Sequence, residues 1–167
     1  MAPLFENSYI RDESILLEFN RRFRLFSPVY ILYYLFSAYC LYQFFTVLIF
    51  WGVPVLRFLL IPVLLMLFLW YSCRRGAKIS LNRDLEINNG QPLRIYLVIT
   101  QETITCYDPN GSATIPLTCI RRVRQSRNLI YLTSKAGVTW IFPKATFIRS
   151  TPDDFRSFLN TKGLRVR

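Results

Sequence analysis

The chain has 167 residues, 52% of them hydrophobic, and a formal net charge of +11 with no histidine. The lack of histidine excludes Ser-His-Asp and Cys-His catalytic constellations. The charge is unevenly placed: residues 74–167 hold 16 Lys and Arg against 6 Asp and Glu, whereas between Val29 and Cys73 only Arg57 is charged.

Residues 1–26 are mixed and polar, with Glu6, Asp12, Glu13 and Glu18 among them. A secretory signal needs a basic start, a short apolar stretch and a small-residue cleavage site. None of these is present here, so nothing is expected to be removed. The segment is read as a cytoplasmic N-terminal stretch containing a short amphipathic helix.

Residues 27–73 follow a different rule. "VYILYYLFSAYCLYQFFTVLI" and "FWGVPVLRFLLIPVLLMLFLW" stand back to back. About 20 apolar residues span a bilayer, whereas shorter apolar runs serve soluble cores. Neither stretch has the polar face of a soluble amphipathic helix. The pattern predicts a transmembrane hairpin with spans at about 28–50 and 53–73. The alternative is one very long helix, or two core helices of a soluble protein. Pro28 suits a helix start, and Gly52 and Pro54 break the pattern between the spans.

Arg21, Arg22 and Arg24 precede the first span, Arg74, Arg75 and Lys78 follow the second, and the turn between them has neither Lys nor Arg. Basic residues are retained on the cytoplasmic side, so both termini are expected there. Arg57 falls about one turn inside the outer end of the second span. Its long stem can carry the guanidinium to the interface. The sharper reading makes Arg57 an intramembrane polar contact with a partner subunit. Proton or ion pathways need acids or histidines within the spans, and there is no acid between Glu18 and Asp84.

Residues 74–167 are read as a cytoplasmic domain. "ISLNRDLEI" (79–87) is taken as a strand leading out of the membrane. "LRIYLVIT" (93–100), "ETITCYD" (102–108) and "ATIPL" (113–117) have strand composition, with "PNG" (109–111) as a turn. "CIRRVRQ" (119–125) places Ile120 and Val123 among arginines. "NLIYLTS" (128–134) and "GVTWIFP" (137–143) form a hairpin across "KA". "TPDDFRSFLNTKG" (151–163) reads as a helix. Thr151 is its N-cap, Pro152 opens it, Asp153 and Asp154 sit at the positive end of the dipole, and Phe155, Phe158 and Leu159 share one face. Gly163 ends it. Six or seven antiparallel strands closed by a C-terminal helix is the order of a pleckstrin-homology-like (PH-like) barrel or sandwich. The fold class is therefore α+β, with a two-helix transmembrane hairpin followed by the PH-like unit.

The stretch from Leu97 to Gly163 resembles the C-terminal domain of YcxB-like bacterial membrane proteins. The matching features are Ile99, Thr100, Glu102 and Ile104, then Gly111, then Ile115, Pro116 and Ile120, then "FPKATF" at 142–147, followed by an acidic-aromatic helix. "FPK" stands where the family has "IPK". Two spans ahead of the domain fit the family's layout. The resemblance implies a bacterial inner-membrane protein with a PH-like fold, and it implies no defined activity.

Cys40, Cys73, Cys106 and Cys119 have no C-x-x-C spacing and are expected as reduced thiols. There is no glycine-rich phosphate loop and no carboxylate pair suited to acid–base work. No enzyme, metal or cofactor is expected. The candidate binding residues are Arg121, Arg122, Arg124 and Arg127. A solvated sheet edge is the plain reading of this cluster. Contact with anionic lipid headgroups or with an acidic protein partner is the functional one. Nucleic acid is not expected, because bases need aromatic platforms beside the charge, and Tyr131 and Trp140 alternate into the core. The function expected is a non-enzymatic membrane adaptor. The alternative is an accessory or immunity-type subunit acting on a transporter or toxin through the hairpin. Partners are the bilayer and a membrane protein or a second copy.

Overall fold

The computed structural model describes residues 3–25, 28–52 and 56–166. The chain divides into two compact units: Leu16–Ser80, and a discontinuous unit of Met1–Ile15 with Leu81–Arg167.

The discontinuous unit carries two antiparallel sheets. Strands β1 (Phe5–Ile10), β2 (Arg94–Ile99), β3 (Thr103–Asp108), β4 (Gly111–Pro116) and β8 (Phe147–Arg149) form the first, in the order β4-β3-β2-β1-β8. Strands β5 (Ile120–Gln125), β6 (Leu129–Ser134) and β7 (Thr139–Pro143) form the second, in that order. Neither sheet closes on itself, so the expected barrel takes the form of two open sheets. The 109–111 turn and the 128–143 hairpin occur where the sequence puts them.

Strand β1 corrects the expected organisation. The N-terminal segment is not separate from the C-terminal domain: Phe5–Ile10 pairs with β2 from Phe5 opposite Ile99 to Ile10 opposite Arg94. Phe5, Asn7 and Tyr9 are buried, and the residues between them are partly exposed, which is the two-residue period of a half-buried strand.

Helix α1 spans Glu13–Leu25, matching the short helix expected in the first 26 residues. Asp12 caps it, its carboxylate accepting from the Ile15 N–H at 2.8 Å. Helix α2 spans Pro28–Trp51 and helix α3 spans Arg57–Ile87. The segment at 79–87 is therefore helix and not a strand. Its apolar alternation at Ile79 and Leu81 imitates a strand, but Leu81 and Leu85 are also one helical turn apart, and the helix upstream is already nucleated. Asn89 (φ 50°) and Gly90 (φ 80°) adopt left-handed backbone, and the Gly90 N–H bonds the Leu85 carbonyl at 2.7 Å. This arrangement ends the helix.

The windows Tyr30–Trp51 and Phe58–Ile87 are long and apolar enough to cross a membrane, and hardly any of either is buried. Large apolar side chains such as Leu32, Leu35, Ile49, Leu64 and Met66 are exposed along them. The turn residues 53–55 and the side chain of Arg57 lie outside the described residues, so the contact expected of Arg57 does too.

Helix α4 (Pro152–Thr161) completes the core of the β unit. Thr151 and Asp154 form a capping box, and Phe155 and Leu159 are fully buried. The Phe155 ring lies 5.1 Å from Phe5 of β1, 5.2 Å from Phe142 of β7 and 5.5 Å from Phe147 of β8. One helix thus holds members of both sheets around a common aromatic centre. Phe158 is half-buried, 5.2 Å from Phe5.

Candidate functional site

A strongly charged concavity lies along β5. The sequence Ile-Arg-Arg-Val-Arg can bury only its aliphatic members, and Ile120 and Val123 are buried. They stand three residues apart, whereas strict alternation would bury residues an even number apart. A β-bulge supplies the missing step: Ile120 pairs with Ser134 and Arg122 with Thr133, leaving Arg121 as the extra residue. A bulge of this kind re-aims side chains, and here Arg121 and Arg122 are both exposed while Arg124 is half-buried.

The neighbouring edge comes from the chain after α4. Gly163 takes a left-handed φ of 77°, which a glycine adopts at no steric cost. The Leu164 N–H bonds the Leu159 carbonyl at 2.9 Å. Val166 then forms a parallel bridge with Val123, and its N–H bonds the Asn160 side-chain oxygen at 3.3 Å. This turn brings Arg165 alongside β5. The resulting groove of about 480 Å³ is lined by Arg121, Arg122, Arg124 and Arg165, with Val123, Gly163 and Leu164.

Among the described residues no carboxylate lies within ion-pair distance of these four arginines. The ion pairs of the β unit, Arg11 with Asp84 at 3.3 Å and Arg149 with Glu6 at 3.9 Å, lie elsewhere. Positive groups gathered in a concavity raise the local concentration of anions. The structure therefore brings together three of the four arginines singled out in the sequence. Arg127 stands apart: it is exposed in the turn between β5 and β6 and does not line the groove. Arg165 takes its place. No local signal marks it, because its position depends on the non-local bridge from Val166 to Val123.

A second concavity, of about 380 Å³, lies within the helical unit. It is apolar and lined by Leu17, Tyr30, Tyr34, Met66, Leu69, Trp70 and Cys73, with Arg21. Arg74 stacks on Trp70 with its guanidinium carbon 4.6 Å from the ring.

The four cysteines are unpaired. Burial pushes the Cys106 thiol up to about 11, with the Asp108 carboxylate acting in the same direction. Among the described residues no group of three His, Cys, Asp or Glu side chains is placed to hold a metal ion. The chain matches no protein-family model and no curated protein sequence.

Proposed function

We propose that this protein is a non-enzymatic adaptor of the bacterial inner membrane. In this reading α2 and α3 cross the bilayer, and the β unit, PH-like in the manner of the YcxB-like proteins, works at the cytoplasmic face. The observation that carries the reading is the pairing of β1 with β2. Strand β1 precedes the two apolar helices, β2 follows them, and the two strands pair over six positions. A chain that crosses a bilayer twice returns to the side it left, which this pairing requires. The helices are thus an apolar insertion into one β domain.

The basic flanks of the hairpin give that side as cytoplasmic, where the inner leaflet is anionic. Each Lys or Arg near such a surface contributes about 1 kcal/mol. The unpaired arginines of β5 supply the attraction, and the bilayer is the first partner.

The test uses the full chain reconstituted in neutral-lipid nanodiscs. These should float with added phosphatidylglycerol vesicles at low salt. They should separate at 1 M salt, where the screening length falls from about 10 Å to about 3 Å. Arg122→Glu with Arg124→Glu should abolish co-flotation while leaving the fold intact by circular dichroism. Equal flotation with neutral vesicles, or with the double variant, would remove the lipid reading and turn attention to an acidic protein partner.

A further inference from the structure

We propose that the groove between β5 and residues 163–166 is a discrete binding site for a compact phosphate-bearing anion with at least two negative charges. This rests on the reading of β5 as an anion-facing surface, but it asks for more than diffuse attraction to a charged leaflet.

Three observations carry it. First, four arginines from two separate segments line one concavity, Arg121, Arg122 and Arg124 on β5 and Arg165 on the segment bridged beside it. Diffuse attraction to a membrane needs only charge, with no concavity to receive a group. Several arginines lining one groove suit a ligand that presents several oxygens, as a phosphate does, and guanidinium forks match those oxygens two at a time.

Second, the walls are fixed. Val123 is buried in the core, the bulge at Arg121 sets the direction of its neighbours, and the segment that carries Arg165 is tied by the Val166–Val123 bridge and the bond from Val166 to Asn160. Third, the groove holds about 480 Å³, within the range of about 300–1,000 Å³ usual for small-ligand sites. Its charge has no internal carboxylate partner among the described residues. A nucleic-acid strand is disfavoured because no aromatic ring lines the groove.

The same chemistry has two sources, a phosphomonoester lipid headgroup or a soluble phosphate compound. The full chain in neutral nanodiscs is titrated with inorganic pyrophosphate by calorimetry. In parallel, binding is measured to vesicles of phosphatidic acid and of phosphatidylglycerol matched in surface charge. One-site saturable pyrophosphate binding is expected, weakened about tenfold or more by Arg165→Gln. Arg165→Lys, which keeps the charge and loses the fork, should weaken it by several-fold. Arg156→Gln, on the exposed side of α4 outside the groove, removes the same charge and should change little.

If the source is a lipid headgroup, phosphatidic acid vesicles bind more tightly than phosphatidylglycerol vesicles, and pyrophosphate displaces them. If it is a soluble compound, pyrophosphate binds with no preference between the vesicles. Absence of saturable pyrophosphate binding overturns the site, as does an Arg165→Gln effect no larger than that of Arg156→Gln. Vesicle binding that persists in that case leaves the adaptor reading standing. Pyrophosphate binding without vesicle binding removes the leaflet from the reading and keeps the site.

Discussion

Asn7 donates its side-chain amide to the Pro143 carbonyl at 2.9 Å, across 136 positions of sequence. Its amide oxygen accepts from the Thr146 hydroxyl at 3.1 Å. Asn7 is 1% exposed, so this polar side chain sits in the core with both of its ends bonded. The contact joins β1, an interior strand of the first sheet, to the end of β7 in the second. A buried polar group left without a partner costs about 1–3 kcal/mol. Asn7→Leu removes both of these bonds and leaves the Pro143 carbonyl only its bond from the Thr146 hydroxyl at 3.1 Å, so it should lower the urea midpoint by the equivalent of about 1 kcal/mol. An unchanged midpoint would mean that the pair is not holding the two sheets in place.

Phe155 touches rings from three strands and is fully buried, whereas Phe158 is only half-buried. Phe→Ala in a packed core costs about 3–5 kcal/mol. Limited proteolysis of the full chain should therefore cut the β unit readily in Phe155→Ala and more slowly in Phe158→Ala. The reverse order would argue against the packing of α4 described above.

The cap of α4 has a pH signature. The Thr151 hydroxyl, then the Thr151 N–H, hold the Asp154 carboxyl below its ordinary value of 3.8. A depressed carboxyl contributes stability above its unfolded pKa and loses it as pH falls through the folded value. Thr151→Ala should cost about 1 kcal/mol at neutral pH, and less at an acid pH low enough to protonate the Asp154 carboxylate. Denaturation curves at the two pH values measure the difference.

Cys106 lies on β3 opposite Leu97. Its thiol is raised from 9.0 to about 11, so the neutral form is the one the fold favours. That contribution is complete below pH 9 and fades as pH rises toward 11. Iodoacetamide, which needs the thiolate, should label Cys106 at pH 8.5 far more slowly in the native chain than in urea. Comparable rates would show that the side chain is freely hydrated.

The hairpin topology can be read with thiol probes in a cysteine-free background. Trp51 is 79% exposed at the end of α2, and Gln91 follows the end of α3. A probe at Trp51→Cys should react with an impermeant reagent applied outside intact cells, and one at Gln91→Cys should not. The opposite pattern would invert the orientation derived from the arginine flanks.

Helix α4 was legible in the sequence because its cap, its opening proline, its apolar spacing and its stop are all local. The 128–143 hairpin was legible for the same reason, since a short turn joins two strands of matching period. Strand β1 was not. Its partner lies some 90 positions away, and the inward row Phe5, Asn7, Tyr9 contains an amide that disguises the apolar alternation. The bond of Asn7 to Pro143 is what makes that amide acceptable in the core, and it becomes visible only in three dimensions. The arginines of β5 were conspicuous as a run. The bulge that turns two of them outward and the bridge that adds Arg165 both depend on pairing, which composition does not encode.

The position of β1 also separates the order of synthesis from the order of assembly. A strand made before the two long helices occupies the slot between β2 and β8, so it must wait unpaired until β2 has left the ribosome, and half-paired until β8 has. Until β8 and α4 follow, β1 presents an open edge toward the absent β8, and Phe5 lacks the Phe155 ring that it packs against. A contact formed so late and across so many residues slows folding. Under the membrane reading proposed above, completion of the β domain also reports that both helices have been threaded and the chain has come back, and an incompletely inserted hairpin leaves an unfinished sheet.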